Sequence, residues 1–119
     1  MAQPDAIDRA AIDELLESTG SDEAFLAEMI DTYLGDAADL LRALRTAAAA
    51  GDPDALRQAA HTLKSNSATL GARVVADQAR ALEERARDRV LDDAAARVDA
   101  IAAEFARASA ALQVLRPNT

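Results

Sequence analysis

The chain has no cysteine and only one histidine, and both scarcities narrow its chemistry. Without thiols there are no disulfides, no thiolate metal sites and no cysteine nucleophile, and nothing points to an oxidising compartment. Basic charge is scarce too: 13 Lys and Arg face 21 Asp and Glu, a formal net charge of −8. That sign opposes binding to nucleic-acid phosphates. Apolar runs are short, as in Ala47–Ala50, against the roughly 20 residues a membrane span needs. The opening Met1-Ala2-Gln3-Pro4-Asp5 has neither a basic flank nor an apolar block. A soluble, cytoplasmic protein is expected, with neither nucleic acid nor a membrane as partner.

Aromatic residues make up only 3% of the chain, namely Phe25, Tyr33 and Phe105. Ala, Leu, Arg, Asp and Glu dominate instead, a mixture that favours helix and leaves few β-branched residues for strands. With 119 residues, half of them apolar, the chain is long enough to bury its own core as a single domain over residues 1–119.

The few Gly and Pro residues punctuate this helical composition. A short first helix is predicted from about Asp8 to Ser18, stopped by Gly20. Ser21 reads as the N-cap of a long second helix with Asp22 and Glu23 in its first turn, running to Ala50 and ended by Gly51. Its apolar face includes Phe25, Met29, Leu40 and Leu44. Asp52-Pro53 supplies a cap and a first-turn proline for a third helix, Pro53 to about Thr69, which stops near Gly71. A fourth helix, about Ala72 to Arg87, buries Val75, Ala79, Leu82 and Ala86. A fifth, about Leu91 to Leu115, buries Val98, Ile101, Phe105, Ala108 and Leu112. Short links between long helices predict an all-α fold, an antiparallel up-down four-helix bundle with a short N-terminal capping helix.

Most enzyme chemistries lack their parts. There is no glycine-rich phosphate loop, no His-Glu-x-x-His pair, and no Cys or second His to complete a nucleophile and base. The remaining candidate is His61. At about 100° per residue, Leu56, Ala60, Leu63, Ser67 and Leu70 form the buried stripe of the third helix, and His61 lies about 140° away from it. An isolated exposed histidine is most often a plain surface residue. Here, however, Lys64 at i+3 can pair with an anion carried by the imidazole, Ser65 at i+4 is small, and Arg57 at i−4 adds a second positive charge. A basic cluster around an exposed imidazole in an acidic protein suits a transferred phosphoryl group.

The stretch around His61 resembles the histidine-containing phosphotransfer (HPt) domains of bacterial two-component systems and phosphorelays. Their motif is roughly His-x-x-Lys-Gly-x-x-x-x-(Leu/Phe)-Gly, and His61, Lys64, Leu70 and Gly71 stand at matching offsets. The pattern from Ile12-Asp13-Glu14-Leu15-Leu16 through Phe25-Leu26, Tyr33-Leu34 and Gly51-Asp52 to Ala81-Leu82-Glu83 extends the similarity over nearly the whole chain. The resemblance implies that His61 is a phosphoacceptor served by a receiver phosphoaspartate or a histidine kinase, with a response-regulator aspartate as acceptor. It also implies that Glu83, 22 residues after the histidine, hydrogen-bonds the imidazole Nδ1; the alternative is an ordinary i,i+4 pair with Arg87 on a wet face. The chain departs from the motif at Ser65, where glycine is usual, although serine can itself donate a hydrogen bond to a phosphoryl oxygen.

Lys64, Ser65 and Glu83 are thus the expected support of the phosphoryl group and imidazole. Arg57, Gln58, Ala68, Arg80 and Arg87 are the expected docking residues. Arg73, one heptad before Arg80, reads as part of a solvated charged face. No metal site is expected in this chain, and Mg²⁺ would belong to the partner receiver. A monomeric phosphoryl carrier without kinase activity of its own is implied. The competing reading is a helical interaction module without phosphotransfer, in which His61 is incidental.

Overall fold

The computed structural model describes residues 5–118. The described residues form five helices and no strand: α1 (Arg9–Ser18), α2 (Glu23–Ala50), α3 (Pro53–Thr69), α4 (Arg73–Arg87) and α5 (Ala94–Leu115). Four of them start on an aspartate, and in three its side chain caps the helix. The carboxylates of Asp8, Asp22 and Asp52 accept hydrogen bonds from the backbone N–H groups of Ala10, Phe25 and Ala55, satisfying first-turn donors that have no partner within the helix. The α2 cap is therefore Asp22 and not Ser21. Ser21 sits outside the helix in the left-handed region at φ 63°, so its hydroxyl does not serve the first turn.

Packing joins α2 to α3, α3 to α4, α4 to α5 and α5 back to α2, which closes a ring of four helices. The two-residue link Gly51-Asp52 and the short turn at Leu70–Ala72 reverse the chain between neighbours, as an up-down bundle requires. The molecule is 44 Å in its longest dimension, close to the ~42 Å that the 28 residues of α2 span at 1.5 Å each. Its core combines Leu44, Leu56, Leu63, Leu82, Ile101 and Leu112 with alanines at the helix contacts, among them Ala37, Ala60, Ala79 and Ala108. The small side chains let the axes approach while leucine and isoleucine fill the layers between.

Two details of the predicted pattern differ. The buried face of α2 runs through Leu26, Ile30, Tyr33, Ala37, Leu44 and Ala47, with Met29 and Leu40 only half-buried. Phe25 is 44% exposed. It lies on the rim of the stripe, lining an open groove with Met29, Tyr33, Asn66 and Thr69. The other difference is that α5 begins at Ala94 instead of near Leu91. The chain leaves α4 through Arg89, in the left-handed region at φ 60°, and the Val90 N–H donates back to Arg85. That closing turn, and the turn at Leu91–Asp93, delay the next helix. Phe105 is half-buried and meets Tyr33 edge to face at 5.9 Å.

Helix α1 packs on α2, and the segment before it closes the end of the bundle where α3 turns into α4. Ile7 and Ile12 are buried there, the Asp8 N–H donates to the Gly71 carbonyl at 2.8 Å, and Arg73 Nε donates to the Asp8 carboxylate at 2.6 Å. Gly71, at φ 76°, is held to glycine twice over, because a Cβ there would stand 2.7 Å from the Asp8 carbonyl oxygen. Gly51, at φ 65°, has open space around it. Gly71→Ala should therefore destabilise the fold by about 1 to 3 kcal/mol more than Gly51→Ala, since both meet the backbone strain and only one meets the clash. Equal losses in denaturant unfolding would mean that α1 does not press on the α3–α4 turn in solution.

Candidate functional site

Helices α3 and α4 form the most extensive helix pair in the bundle. Their register sets one polar cluster across the seam. Along α3, Leu56, Ala60, Leu63, Ser67 and Leu70 are all buried, so the stripe predicted for this helix faces inward and His61 faces out, its side chain 57% exposed. Ser67 is the one polar member of the stripe, and its hydroxyl meets the buried Tyr33 hydroxyl at 2.7 Å. That bond satisfies both groups and ties α3 to α2.

From α4, Glu83 reaches the same place. Its side chain is only 5% exposed, yet it is surrounded by donors. Oε2 lies 2.8 Å from His61 Nδ1, Oε1 accepts from Lys64 Nζ at 2.7 Å, and Arg87 Nη2 approaches Oε2 at 3.4 Å. Burial pushes the Glu83 pKa up. The hydrogen bonds from Lys64 and His61 and their charges push it down further, so the carboxyl ends below its ordinary value of 4.5. An ionised carboxylate only accepts, so Nδ1 must carry the hydrogen, and the lone pair of a neutral ring is left on Nε2.

The sequence-predicted residues divide accordingly. His61, Lys64, Glu83 and Arg87 come together in one hydrogen-bonded cluster. The i,i+4 pair of Glu83 with Arg87 exists, but at a buried carboxylate and not on a wet face. Ser65, Arg57, Gln58 and Ala68 are exposed on α3 around His61. Arg80 is also exposed and leans on Asp77 at 3.8 Å, outside the cluster. Arg73 is exposed, as read for a solvated charge, and it also holds the Asp8 carboxylate. The Lys64 bond to Glu83 was not legible from α3 alone. A signal for it exists on α4, where Glu83 continues the buried series Val75, Ala76, Ala79, Leu82 and Ala86. An acid in that series must find partners across the seam. Among the described residues, no group of three His, Asp or Glu could hold a metal ion, and no helix is long and apolar enough to cross a membrane.

The Hpt domain family model matches residues 28–111, well over half of the chain. The chain belongs to the Hpt family. The match runs from α2 into α5, so it contains the whole His61 cluster and leaves α1 outside. Among solved structures, histidine-containing phosphotransfer protein B (HptB) from Pseudomonas aeruginosa PAO1 superposes with a TM-score of 0.88 at 32% identity, over 96% of each chain. No curated protein sequence matches significantly. Family and structural match together support histidine phosphotransfer in a phosphorelay.

Two measurements check the geometry of this Hpt site. In long-range ¹H–¹⁵N spectra the neutral His61 ring should be the Nδ1–H tautomer, and Glu83→Ala should remove that bias; an unchanged tautomer would exclude the contact. Because the folded-state pKa of Glu83 lies below 4.5, its ionised form stabilises the fold above that pH, and the contribution is lost as pH falls through the folded value. Glu83→Gln should accordingly cost about 1 to 3 kcal/mol at pH 7 and progressively less on acidification. A pH-independent difference in denaturant unfolding would contradict a charged Glu83.

Proposed function

We propose that this protein is a phosphorelay intermediate whose His61 accepts a phosphoryl group on Nε2 and passes it to a receiver aspartate. The observation that carries the reading is the buried Glu83 carboxylate on Nδ1, which leaves Nε2 as the nucleophilic nitrogen of an exposed ring. In the forward step the Nε2 lone pair attacks phosphorus, a P–N bond forms, and the P–O bond of the donor aspartyl phosphate breaks. The donor carboxylate leaves with the electron pair. The imidazole keeps its Nδ1 hydrogen and gains positive charge, which Glu83 stabilises at hydrogen-bond distance. Transfer onward is the same exchange with the acceptor aspartate as nucleophile. The first donor is a receiver phosphoaspartate or a histidine kinase.

Lys64 supplies positive charge to the phosphoryl oxygens, and Ser65 offers a small side chain and a hydroxyl donor. Arg57, Gln58, Ala68 and Arg80 form the surface on which the receiver docks, polar at the edge with Ala68 in the dry part, while Arg87, expected with them, turns to the Glu83 carboxylate instead. Glu83, the acid bonded to His61, is already engaged by His61, Lys64 and Arg87, so the Mg²⁺ of the reaction is supplied by the receiver. The protein acts as a monomeric cytoplasmic carrier, without kinase activity of its own.

His61→Gln should abolish acid-labile, base-stable phosphorylation by a phosphorylated receiver while leaving helical CD and the thermal midpoint nearly unchanged, since an exposed side chain contributes little packing. Residual labelling would remove His61 from the reaction and favour a plain interaction module. Lys64→Ala should slow transfer by roughly one to two powers of ten, as expected for one charge-assisted contact of about 1.5 to 3 kcal/mol. Unchanged single-turnover rates would show that Lys64 does not touch the phosphoryl group.

A further inference from the structure

Three donors surround the two oxygens of Glu83, and they are not equally seated. Lys64 and His61 lie at 2.7 and 2.8 Å, within the range of about 2.7–2.9 Å of a charge-assisted bond. Arg87 lies at 3.4 Å, its side chain 60% exposed. The guanidinium is close to the carboxylate without being seated on it.

The proposed phosphotransfer makes a demand on this cluster that the resting arrangement does not meet. Nδ1 and Nε2 flank the same ring carbon and point in diverging directions, and Lys64 is bonded to the carboxylate on the Nδ1 side. A lysine that turns toward a phosphoryl group growing on Nε2 gives up its bond to Glu83. That movement strips a buried carboxylate of its shortest contact, and a buried charge that loses its partner is strongly destabilised. Arg87 stands one turn along α4 from Glu83, close to the same oxygens, on a flexible and mostly exposed side chain. Its planar fork can grip both carboxylate oxygens at once, which an ammonium cannot.

We propose that Arg87 is a positioning residue that closes on the Glu83 carboxylate as Lys64 leaves it for the phosphoryl group on His61. The inference rests on the reading of His61 as phosphoacceptor. It differs from a docking role because Arg87 acts within its own chain, through Glu83, and needs no partner surface. Glu83 then keeps a cation in both states, and the imidazole keeps its orientation while Lys64 moves.

The test uses phosphoramidate as a small phosphodonor, so that no protein partner is present, and a phosphorylated receiver in parallel. Arg87→Ala should slow labelling of His61 about fivefold with either donor, the loss expected from one ion pair of modest strength. In a Glu83→Gln background, where no buried charge needs a replacement cation, adding Arg87→Ala should change the rate by less than about 1.5-fold. With the receiver, the loss should fall on the maximal rate and not on the half-saturating receiver concentration. The Arg87 side-chain ¹H–¹⁵N signal should shift on phosphorylation, and in Lys64→Ala it should already stand near the shifted position. An equal slowing by Arg87→Ala with and without Glu83→Gln, a loss seen only as weaker receiver binding, or an Arg87 signal unmoved by phosphorylation would each overturn the handover while leaving phosphotransfer by His61 intact. No label on wild-type His61 from either donor would instead refute the phosphoacceptor reading, and the handover with it.

Discussion

A carboxylate inside a helix seam is tolerated only when nearly every lone pair that matters has a donor, and Glu83 imposes that condition on its surroundings. It is almost fully buried, on a helix whose neighbouring inward positions are Leu82, Ala79 and Ala86. A leucine in its place would fill the seam without requiring anything of α3. The acid instead requires that α3 present donors at the right height. His61 and Lys64, three residues apart on one helix face, do so. The same contacts orient the imidazole, choose its tautomer and restrain the lysine, so the stability of the seam and the chemistry proposed for it share one set of hydrogen bonds.

The rest of the bundle keeps those two helices in register. Ala60 and Ala79 are fully buried and let α3 and α4 approach, while the Tyr33–Ser67 bond anchors α3 from its other side to α2. At the end of the pair, Gly71 turns the chain in a left-handed conformation that leaves room for the Asp8 backbone, and Arg73 ties the start of α4 to the same aspartate. The family model leaves α1 outside, yet the segment leading into it rests on the turn that links the two site helices. A short helix at the edge of the fold thus bears on the geometry of the site through backbone contact.

Electrostatics divides the molecule in a similar way. Most ion pairs lie at the surface, as in Arg45 with Asp99 or Arg116 with Asp31, where water and salt weaken them. The Glu83 cluster has one almost water-free partner, and its two cations therefore interact with it more strongly than surface geometry alone would suggest. A net charge of −8 surrounds a site locally supplied with Lys64, Arg87 and Arg57. That contrast suits a group that arrives carrying negative charge.

Local physics written along the chain determined the helices, their stops and the outward placement of His61. Aspartate caps, Gly51 and Pro53 act within a turn or two, and a period of 3.6 assigns inward and outward faces without knowledge of any partner. Lys64 stood out by its place one turn after His61, whereas Glu83 was reached only through the resemblance to HPt domains. Edges of those faces were less legible: Phe25 belongs to the apolar pattern but stands at its rim, and the start of α5 depends on how Arg89 closes α4. Only the tertiary structure decided that Glu83 is buried, that Lys64 bonds to Glu83 and that Arg87 stands at a longer distance from the same carboxylate. These are relations between residues on two helices, 19 and 22 positions apart for the two short bonds. The height and rotation at which α3 meets α4 settle them, and that register comes from packing across the whole bundle, not from the local pattern of either helix.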